Sequence, residues 1–461
     1  MHAGQIAAEV RAGRLRAAEV AERALAAIAE GTALNAFTEV TAARLRAEAA
    51  AVDAAVAAGR DPGPLAGVPY AAKNLFDLEG ITTLAGSAIE RDRPPARRDA
   101  FLVRRLRAAG ALCAGATNMD EYAYGFTTEN THHGPARNPH DSSRIAGGSS
   151  GGSAVAVAAG MVPLALGSDT NGSIRVPAAL CGVFGLKPTY GRLSRAGAYL
   201  FAASLDHVGP FARCVADLAA AYDALQGEDA DDPVQAARAA EPVSATAFTG
   251  IAGLRIAVAG GHYARGGHAE AFAGVEAAAR ALGVTRHVEI PMAAEARAAA
   301  SLITMAEGGN LHLPDLRTRP DDFDPMTRDR FLAGALIPAH WLQQAQRVRA
   351  ACRAAALDVF ADVDVVLTPA VPHVATPIGE DMVEVDGAAI PLRPNLGAYT
   401  QPISCIGLPA MSVPAADPAA LGAPRGLPVG VQLVAAPWRE DHLFRVAAAL
   451  ERAGFAACQG G

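Results

Sequence analysis

Two residues of this 461-residue chain stand apart from its other basic residues, because Lys73 and Lys187 are its only lysines. The remaining 38 of its 40 basic residues are arginines. Arginine stays protonated at any biological pH, whereas a desolvated lysine amine can lose its proton and act as a base. Residues 65–77 around Lys73 are largely apolar, so a charged amine there would be poorly solvated. Lys73 is therefore the candidate base, and Lys187, which precedes Pro188, is predicted to be structural.

Serine and glycine are concentrated in residues 145–154 and 166–177, the segments with the clearest catalytic potential. A serine flanked by glycines can expose its hydroxyl group beside free backbone N–H groups. A helix that begins at Ser173 would add the positive potential of its N-terminus. The two segments therefore predict a nucleophile beside an oxyanion hole. Phosphate binding or plain turn structure is the alternative, although neither the P-loop nor the dinucleotide-binding signature is present.

A serine nucleophile needs a base, and histidine is the usual one. Three histidines, His132, His133 and His140, precede the glycine-rich loop. They are interpreted as loop histidines, because no carboxylate or cysteine completes a zinc-binding spacing with them. Ser173 also lacks the Gly-x-Ser-x-Gly pattern of the serine–histidine hydrolases. Lysine is therefore the better candidate for the base, and no metal ion or cofactor is predicted.

These residues together resemble the amidase signature family. The similarity includes Lys73, residues 147–153, residues 167–175 and the 24 positions from Ser149 to Ser173. It extends over essentially the whole chain. The resemblance implies that Ser173 is the nucleophile, that Ser149 relays the proton after a cis peptide bond, and that Lys73 is the base. It also implies an oxyanion hole formed by the backbone N–H groups of Thr170, Asn171, Gly172 and Ser173.

The same resemblance implies a single α/β domain, with a mixed, mostly parallel β-sheet covered by helices on both faces. The sequence adds two alanine-rich amphipathic helices, near residues 17–30 and 41–58. We therefore predict a helical N-terminal arm, residues 1–60, packed on an amidase signature domain, residues 61–461. Later segments alternate between strand and helix patterns. Strands are predicted at 254–261, 284–290, 364–369 and 428–434, and helices at 269–281 and 442–453.

The overall composition excludes several other classes of protein. Hydrophobic residues make up 51% and charged residues 19%, which is enough for a large core. The net charge is −7 and there is no basic stripe, which argues against direct binding of nucleic acid. No segment resembles a membrane span or a signal peptide and the six cysteines are widely spaced, so we expect a cytoplasmic protein with free thiols. The interspersed charges from Arg44 to Glu48 are typical of a solvated helix face.

Two branches of the family compete for the substrate assignment. Residues 118–141 and 190–195 resemble the glutamine-hydrolysing subunit of tRNA-dependent amidotransferases. The 1-carboxybiuret hydrolase-like amidases are matched better by residues 121–132, 307–312, 315–320 and 432–438. Residues 310–314 also replace a run that the amidotransferase subunit normally carries. The sequence therefore favours release of ammonia from a small carboxylated ureide, 1-carboxybiuret- or oxalurate-like. A catalytically silent subunit of a complex is a third hypothesis.

The favoured branch implies a homodimeric core with a small helical partner subunit. A carboxylated substrate needs a cationic contact, and the sequence offers Arg175, Arg328 and Arg330 as candidates without ranking them. Arg175 has a second and favoured interpretation, an ion pair with Asp169 that braces the catalytic loop. Tyr124 is predicted either to line the substrate pocket or simply to pack.

Overall fold

The computed structural model describes residues 1–458, and its strands are mostly short, buried segments. In chain order the strands are β1 (Phe37–Val40), β2 (Pro69–Lys73), β3 (Leu112–Thr117), β4 (Glu129–Asn130), β5 (Gly134–Pro135), β6 (Arg137–Asn138), β7 (Asp141–Ile145), β8 (Leu164–Asp169), β9 (Phe184–Lys187), β10 (His207–Ala212), β11 (Ile256–Ala259), β12 (His287–Val288), β13 (Val365–Pro369), β14 (Met382–Val385), β15 (Ala388–Pro391), β16 (Ala410–Pro414) and β17 (Gly430–Ala435).

Alanine, a strong helix former, is abundant in most of the helices. In chain order the helices are α1 (Ala3–Arg11), α2 (Ala17–Glu30), α3 (Ala42–Ala57), α4 (Phe101–Ala108), α5 (Gly151–Ala158), α6 (Arg175–Cys181), α7 (Val215–Leu225), α8 (Ala269–Leu282), α9 (Ala293–Leu311), α10 (Leu313–Thr318), α11 (Pro325–Ala335), α12 (Ala339–Asp362), α13 (Leu392–Leu396), α14 (Gln401–Cys405) and α15 (Glu440–Arg452). The predicted helices at 17–30, 41–58, 269–281 and 442–453 are confirmed to within two residues at each end.

Eleven of the described strands form one mixed sheet, in the spatial order β1-β3-β2-β8-β10-β9-β16-β17-β13-β11-β12. Strand β2 is parallel to its neighbours β3 and β8, and β11 is parallel to β12 and β13. The pairs from β8 across to β13 and the pair of β1 with β3 are antiparallel. The four predicted strands at 254–261, 284–290, 364–369 and 428–434 are present as β11, β12, β13 and β17.

Alternate residues of β13 contribute to two different hydrophobic clusters, one on each face of the sheet. Val365 and Leu367 belong to a cluster that includes Val275 of α8. Val366 belongs to a second cluster that includes Ala300 of α9. The sheet is therefore buried by helices on both faces, and the predicted α/β class with a single mixed sheet is confirmed.

The N-terminal segment contributes a strand as well as helices. In α2 the buried residues recur at helical spacing, from Ala17 through Val20 and Ala24 to Ile28, and this stripe packs on the core. Between α2 and α3 the chain forms β1, which extends the sheet beyond β3. The helices of the predicted arm therefore pack on a sheet to which the arm itself adds the edge strand.

Arg44 and Glu48 do not lie on the solvated face that their charge pattern predicts. Arg44 donates to the two carboxylate oxygens of buried Asp99 at 2.7 and 2.9 Å. Glu48 accepts from Arg44 at 2.8 Å and from the backbone N–H of Cys113 at 2.7 Å. Buried charges need such partners. The expectation is wrong because Asp99 and Cys113 are distant in the chain, where a local charge pattern cannot reveal them.

Three neighbouring strands in the interior of the sheet bring polar residues together at their ends. Strands β2 and β8 are parallel and end at Lys73 and Asp169, so their carboxyl ends meet. Strand β10 runs the other way and begins at His207, directly opposite Asp169. Strands from β1 to β9 in the spatial order come from residues 37–212, and those from β16 to β12 come from residues 256–435.

Candidate active site

Lys73 is the last residue of strand β2, and its side chain is fully buried. Its Nζ donates to Ser149 Oγ at 2.7 Å and to Ser168 Oγ at 2.8 Å. None of the three residues is more than 6% exposed. When the amine is neutral, its lone pair can accept from one of these hydroxyl groups while it donates a hydrogen to the other. The structure thus brings the predicted base and the predicted relay into direct contact, and it adds Ser168 as a second hydroxyl on the amine.

The loop that carries Ser149 is held from behind by Asp120. The Gly148–Ser149 peptide bond is cis, as the resemblance implies. Position 148 has room only for glycine, because a Cβ atom there would lie 2.1 Å from Asp120 Oδ2. The Asp120 carboxylate accepts from the backbone N–H of Thr128 at 3.0 Å, and Thr128 Oγ1 donates to the carbonyl of Gly147 at 2.9 Å. These contacts position the loop against Lys73.

Burial sets the protonation of the groups around the amine. It lowers the pKa of Lys73 to about 7, although the carboxyl groups of Asp120, Asp206 and Asp169 oppose the change. Burial also raises the pKa of Asp120 and the pKa of Asp206 to about 6 each. A lysine with a pKa near 7 is about half neutral at neutral pH and can accept a proton. Lys73 therefore has the properties of a general base.

The predicted oxyanion loop follows β8 directly and is tied to its surroundings by side chains. Thr170 Oγ1 donates to Asp206 at 2.6 Å. The carbonyl of Asn171 accepts from Thr400 Oγ1 at 2.8 Å. Gly172 has a φ of +139°, and a Cβ atom there would lie 2.1 Å from Thr400 Oγ1, so only glycine fits. Helix α6 begins at Arg175, shortly after the loop rather than at the predicted Ser173.

Arg175 braces this loop and does not contact the cavity. Its Nε and Nη2 donate to the two oxygens of Asp169, each at 2.9 Å, and Nη1 donates to Gln432. Both charged side chains are fully buried. Burial alone would raise the pKa of Asp169, but the ion pair with Arg175 holds that pKa below its ordinary value. The favoured bracing interpretation thus replaces the candidate role of Arg175 as a substrate contact.

A cavity of about 460 Å³ opens beside the loop. Thr170, Asn171 and Ser173 form part of its wall. The remaining wall is mainly apolar or aromatic, with a few polar groups. Its larger side chains are Tyr124, Phe126, Phe201, Met305, Met326, Arg330, Arg393 and Gln401. Tyr124 fulfils both of its predicted roles, because it lines the cavity and packs on Phe201 with ring centroids 4.6 Å apart.

Of the arginines predicted to meet a substrate, only Arg330 lines the cavity. Its Nε donates to the carbonyl of Met326 at 2.8 Å and its Nη2 to the carbonyl of Tyr124 at 2.5 Å. The guanidinium lies 4.1 Å from the centre of the Tyr124 ring. Within residues 1–458 no carboxylate pairs with it and Nη1 has no hydrogen bond. Arg330 therefore offers a positive charge that no carboxylate contacts directly.

Arg328 and Arg393 show the opposite arrangement. Arg328 pairs with Asp329 at 3.0 Å and with Asp321 at 3.5 Å, and it does not line the cavity. Its surface ion pairs and its position outside the cavity wall argue against the predicted role of Arg328 as a substrate contact. Arg393 does line the cavity, but its charge is offset by Glu129 and Asp381, each at 3.0 Å.

Lys187 is buried at the end of β9, away from the cavity wall. Its Nζ contacts the carbonyl of Pro188 at 3.3 Å, His207 Nε2 at 3.2 Å and the carbonyl of Leu408. His207 Nδ1 lies 2.6 Å from the Leu205 carbonyl and so carries the proton, which leaves Nε2 to accept. A lysine amine presents its hydrogens around one nitrogen, whereas a guanidinium spreads its donors over a plane. The three convergent acceptors explain why arginine does not replace this lysine.

Sequence reasoning missed Ser168, Asp120 and Gln401. Ser168 stands inside the matched run 167–175, so its position was visible but its contact with Lys73 was not. Asp120 belongs to the matched stretch 118–141 and its side chain is directed at the loop by the turn after β3. Gln401 lies outside every matched run, and the sequence holds no signal for it.

The predicted loop histidines have separate neighbours, since His132 contacts Glu121 at 3.0 Å and His140 contacts the Cys181 carbonyl at 3.0 Å.

An α/β fold in which a buried lysine bonds to a serine hydroxyl, with a second serine at a cavity, is the arrangement expected of a serine–lysine hydrolase. Comparison with known proteins makes this specific. Residues 19–444 match the model of the Amidase family, and the chain belongs to that family. It is a hydrolase of carbon–nitrogen bonds in linear amides. The predicted family, fold and enzyme class are confirmed.

The similar proteins fall into the two branches that the sequence distinguishes. The chain is 53% identical to AtzE, the 1-carboxybiuret hydrolase subunit of Pseudomonas sp. (strain ADP), over 97% of each chain. It is 39% identical to a glutamyl-tRNA(Gln) amidotransferase subunit of Chloroflexus aurantiacus, over 96% of this chain and 95% of that one. The amidotransferase subunit is thus the more distant relative.

Solved structures show the same relationship. An inhibitor-bound structure from a vestigial protein complex, linked to the origins of an s-triazine catabolic enzyme, has a TM-score of 0.98 and 52% identity over 100% of both chains. The corresponding glutamyl-tRNA(Gln) amidotransferase subunit of Thermotoga maritima has a TM-score of 0.79 and 30% identity, over 97% of this chain and 94% of that one. Among residues 1–458 no helix is long and apolar enough to cross a membrane.

Proposed function

We propose that the chain hydrolyses a C–N bond of a small carboxylated ureide, 1-carboxybiuret- or oxalurate-like, and releases ammonia. Similarity to the 1-carboxybiuret hydrolase subunit supports this substrate class. Both compounds present a carboxylate beside a ureido group. The cavity volume of about 460 Å³ suits a small molecule.

The unpaired charge of Arg330 is the observation that carries the proposal. A buried or half-buried cation without a carboxylate partner is costly, and an anionic ligand relieves that cost. Arg175 and Arg328 already have carboxylate partners, and Arg393 has two. Arg330 is therefore the arginine that binds the substrate carboxylate. Tyr124 supports its guanidinium from below as a stacked ring.

In the proposed mechanism neutral Lys73 takes the proton of Ser149 as Ser149 takes the proton of Ser173. Ser173 Oγ then attacks the amide carbonyl, and the backbone N–H groups of residues 170–173 stabilise the oxyanion. When the tetrahedral intermediate collapses, the C–N bond breaks and the proton returns through Ser149 to the leaving nitrogen. Water, deprotonated by the same route, hydrolyses the acyl-enzyme and regenerates Ser173.

We also propose that the chain works in the cytoplasm, as a homodimeric core that binds a small helical partner subunit. The similarity to a chain solved from a protein complex supports the partner. Four free cysteines are buried, Cys113, Cys181, Cys352 and Cys405, which suits a reducing compartment. Size-exclusion chromatography with light scattering, on the chain alone and on the chain purified with what it binds in its host, tests the dimer and the partner.

Ammonia release by the purified full-length chain tests the function. The substrates are 1-carboxybiuret, oxalurate, glutamine and a simple neutral amide, with a Ser173→Ala preparation as the matched control. We expect turnover of a carboxylated ureide without tRNA, and an acyl group on Ser173 detected by mass spectrometry. Activity on glutamine alone, rising with a tRNA-binding partner, would instead indicate an amidotransferase component. Silence on every substrate, with or without a small partner, would indicate a catalytically silent member of a complex.

A further inference from the structure

Gln401 forms part of the cavity wall on which Ser173 also lies. It is the first residue of α14 and only 7% of it is exposed. A polar side chain that is this deeply buried normally satisfies each of its polar atoms. Gln401 has a hydrogen bond at one end of its amide and none at the other among residues 1–458, so the free end is available to a ligand in the cavity.

The contact with Arg297 identifies which atom of the Gln401 amide is the oxygen and which is the nitrogen. Arg297 Nε donates to one amide atom at 3.0 Å, and Arg297 Nη2 is anchored on the carbonyl of Pro394 at 2.6 Å. A guanidinium has only donors, so the amide atom that faces it must be the oxygen. Nε2 is consequently the other atom, and it donates to no atom within residues 1–458. Gln401 therefore presents a pre-oriented donor to the cavity.

A positive charge lies beside this donor, in the guanidinium of Arg297. Arg297 has no carboxylate partner among the described residues, and the same is true of Arg330. Burial lowers the pKa of Arg297 from its ordinary value, which reflects the cost of holding that cation in place. The cavity thus combines a cation that has no carboxylate in contact, suited to a substrate carboxylate, with a neutral N–H donor. The neutral donor suits a carbonyl oxygen of the same ligand.

We propose that Gln401 is a specificity-determining residue that donates from Nε2 to a ureido carbonyl oxygen of the substrate, in an orientation imposed by Arg297. This inference rests on the proposed ureide substrate. It assigns the two kinds of acceptor in that substrate to two residues, the carboxylate to Arg330 and the carbonyl to Gln401. Arg297 acts as a positioning residue, because it bonds to Gln401 but does not itself line the cavity.

A purely structural role for Gln401 would be to fasten α9, which carries Arg297, to α14. Gln401→Glu separates the two roles. The glutamate keeps an oxygen for Arg297, and so keeps the contact between the helices, but replaces the donor with a negative oxygen. Gln401→Met removes both the contact and the donor. Gln344→Glu makes the same change in charge at an exposed position on α12 and serves as the matched control.

The experiment measures the Kd of 1-carboxybiuret by calorimetry in a Ser173→Ala background, so that no turnover occurs. We expect Gln401→Glu to weaken binding roughly 10- to 100-fold, with a melting temperature no lower than that of the Gln344→Glu control. Arg297→Met should weaken binding less, because the donor survives but can rotate. Unchanged binding in Gln401→Glu, with instability only in Gln401→Met, would overturn the inference in favour of the structural role.

The same measurements separate this inference from the proposed function. If the Ser173→Ala background binds no carboxylated ureide, the proposed substrate class is wrong and the inference falls with it. If that background binds the ureide and Gln401→Glu binds it equally well, only the role of Gln401 is wrong. Weakened binding in Gln401→Glu together with unchanged binding in the Gln344→Glu control supports both.

Discussion

Lys73 should titrate near pH 7, and the scarcity of lysine makes this directly measurable. A chain grown with ¹³C-labelled lysine carries only two labelled side chains, Lys73 and Lys187. The Cε signal of Lys73 is identified by its loss in Lys73→Met. We expect its chemical shift to change with a midpoint at about pH 7, rather than near the ordinary 10.5, because burial disfavours the charged amine.

The same shift predicts how stability depends on pH. Lowering the pKa of Lys73 from 10.5 to about 7 corresponds to about 5 kcal/mol against the charged form in the folded state. Between those two values the unfolded chain binds more protons at this residue than the folded chain does. Stability from Lys73 therefore rises with pH, by about 1.4 kcal/mol per pH unit across that window.

Urea denaturation of the parent chain and of Lys73→Met at several pH values measures this slope. The difference in free energy of unfolding, parent minus variant, should grow from about pH 7.5 to pH 10 and level off below pH 7. A constant offset from the lost hydrogen bonds does not affect the slope. Parallel curves, with a Lys73 signal that titrates only near pH 10, would mean that the amine is charged at neutral pH and would refute its role as the base.

Lys73→Arg should lose nearly all turnover, at least about 1,000-fold, because a guanidinium cannot give up its proton; ammonia assays on protein whose fold is verified by circular dichroism check this. The acid limb of the parent's rate profile should have its midpoint near pH 7, since protonation of Lys73 removes the base, and a limb near pH 5 would contradict that. Arg330→Met should raise KM for a carboxylated ureide about 10- to 100-fold and leave a neutral amide nearly unaffected, whereas Arg328→Met, the surface control, should change neither. Asp169→Asn should destabilise the fold by about 3–5 kcal/mol, because it leaves a buried guanidinium without its partner; calorimetry that finds an unchanged melting temperature would show that the pair does not brace the loop.

The catalytic end of the site was accessible from sequence because its residues lie in dense, recognisable runs. Ser149 and Ser173 each stand among glycines, and the chemistry of an enclosed lysine follows from the apolar residues beside Lys73. The structure brings Lys73 and Ser149 within hydrogen-bond distance and places Ser173 at the cavity. Their catalytic roles stay predictions until the variants are assayed.

The substrate contacts were not accessible in the same way, because they depend on which distant groups neutralise each charge. Arg175 and Arg330 look alike in the sequence, but only Arg175 meets a buried carboxylate. Gln401 acquires its orientation from Arg297, which lies 104 positions earlier in the chain. The charge pattern around Arg44 wrongly predicted a solvated helix face for the same reason, because its partner Asp99 lies 55 positions away in the chain. Local patterns report helical faces and loops, but not long-range electrostatic pairing.

The division of the sheet between the two halves of the chain has an evolutionary consequence. Residues 73–173 carry the predicted catalytic groups, whereas residues 297–401 carry Arg330, Gln401 and other polar side chains of the cavity wall. Mutations in the second region can therefore change the cavity wall while Lys73 and Ser149 stay in place, provided that Thr400, which holds the carbonyl of Asn171, is retained. We expect selection for a new ureide to change the cavity-lining positions of that region first, and laboratory libraries are best confined to them.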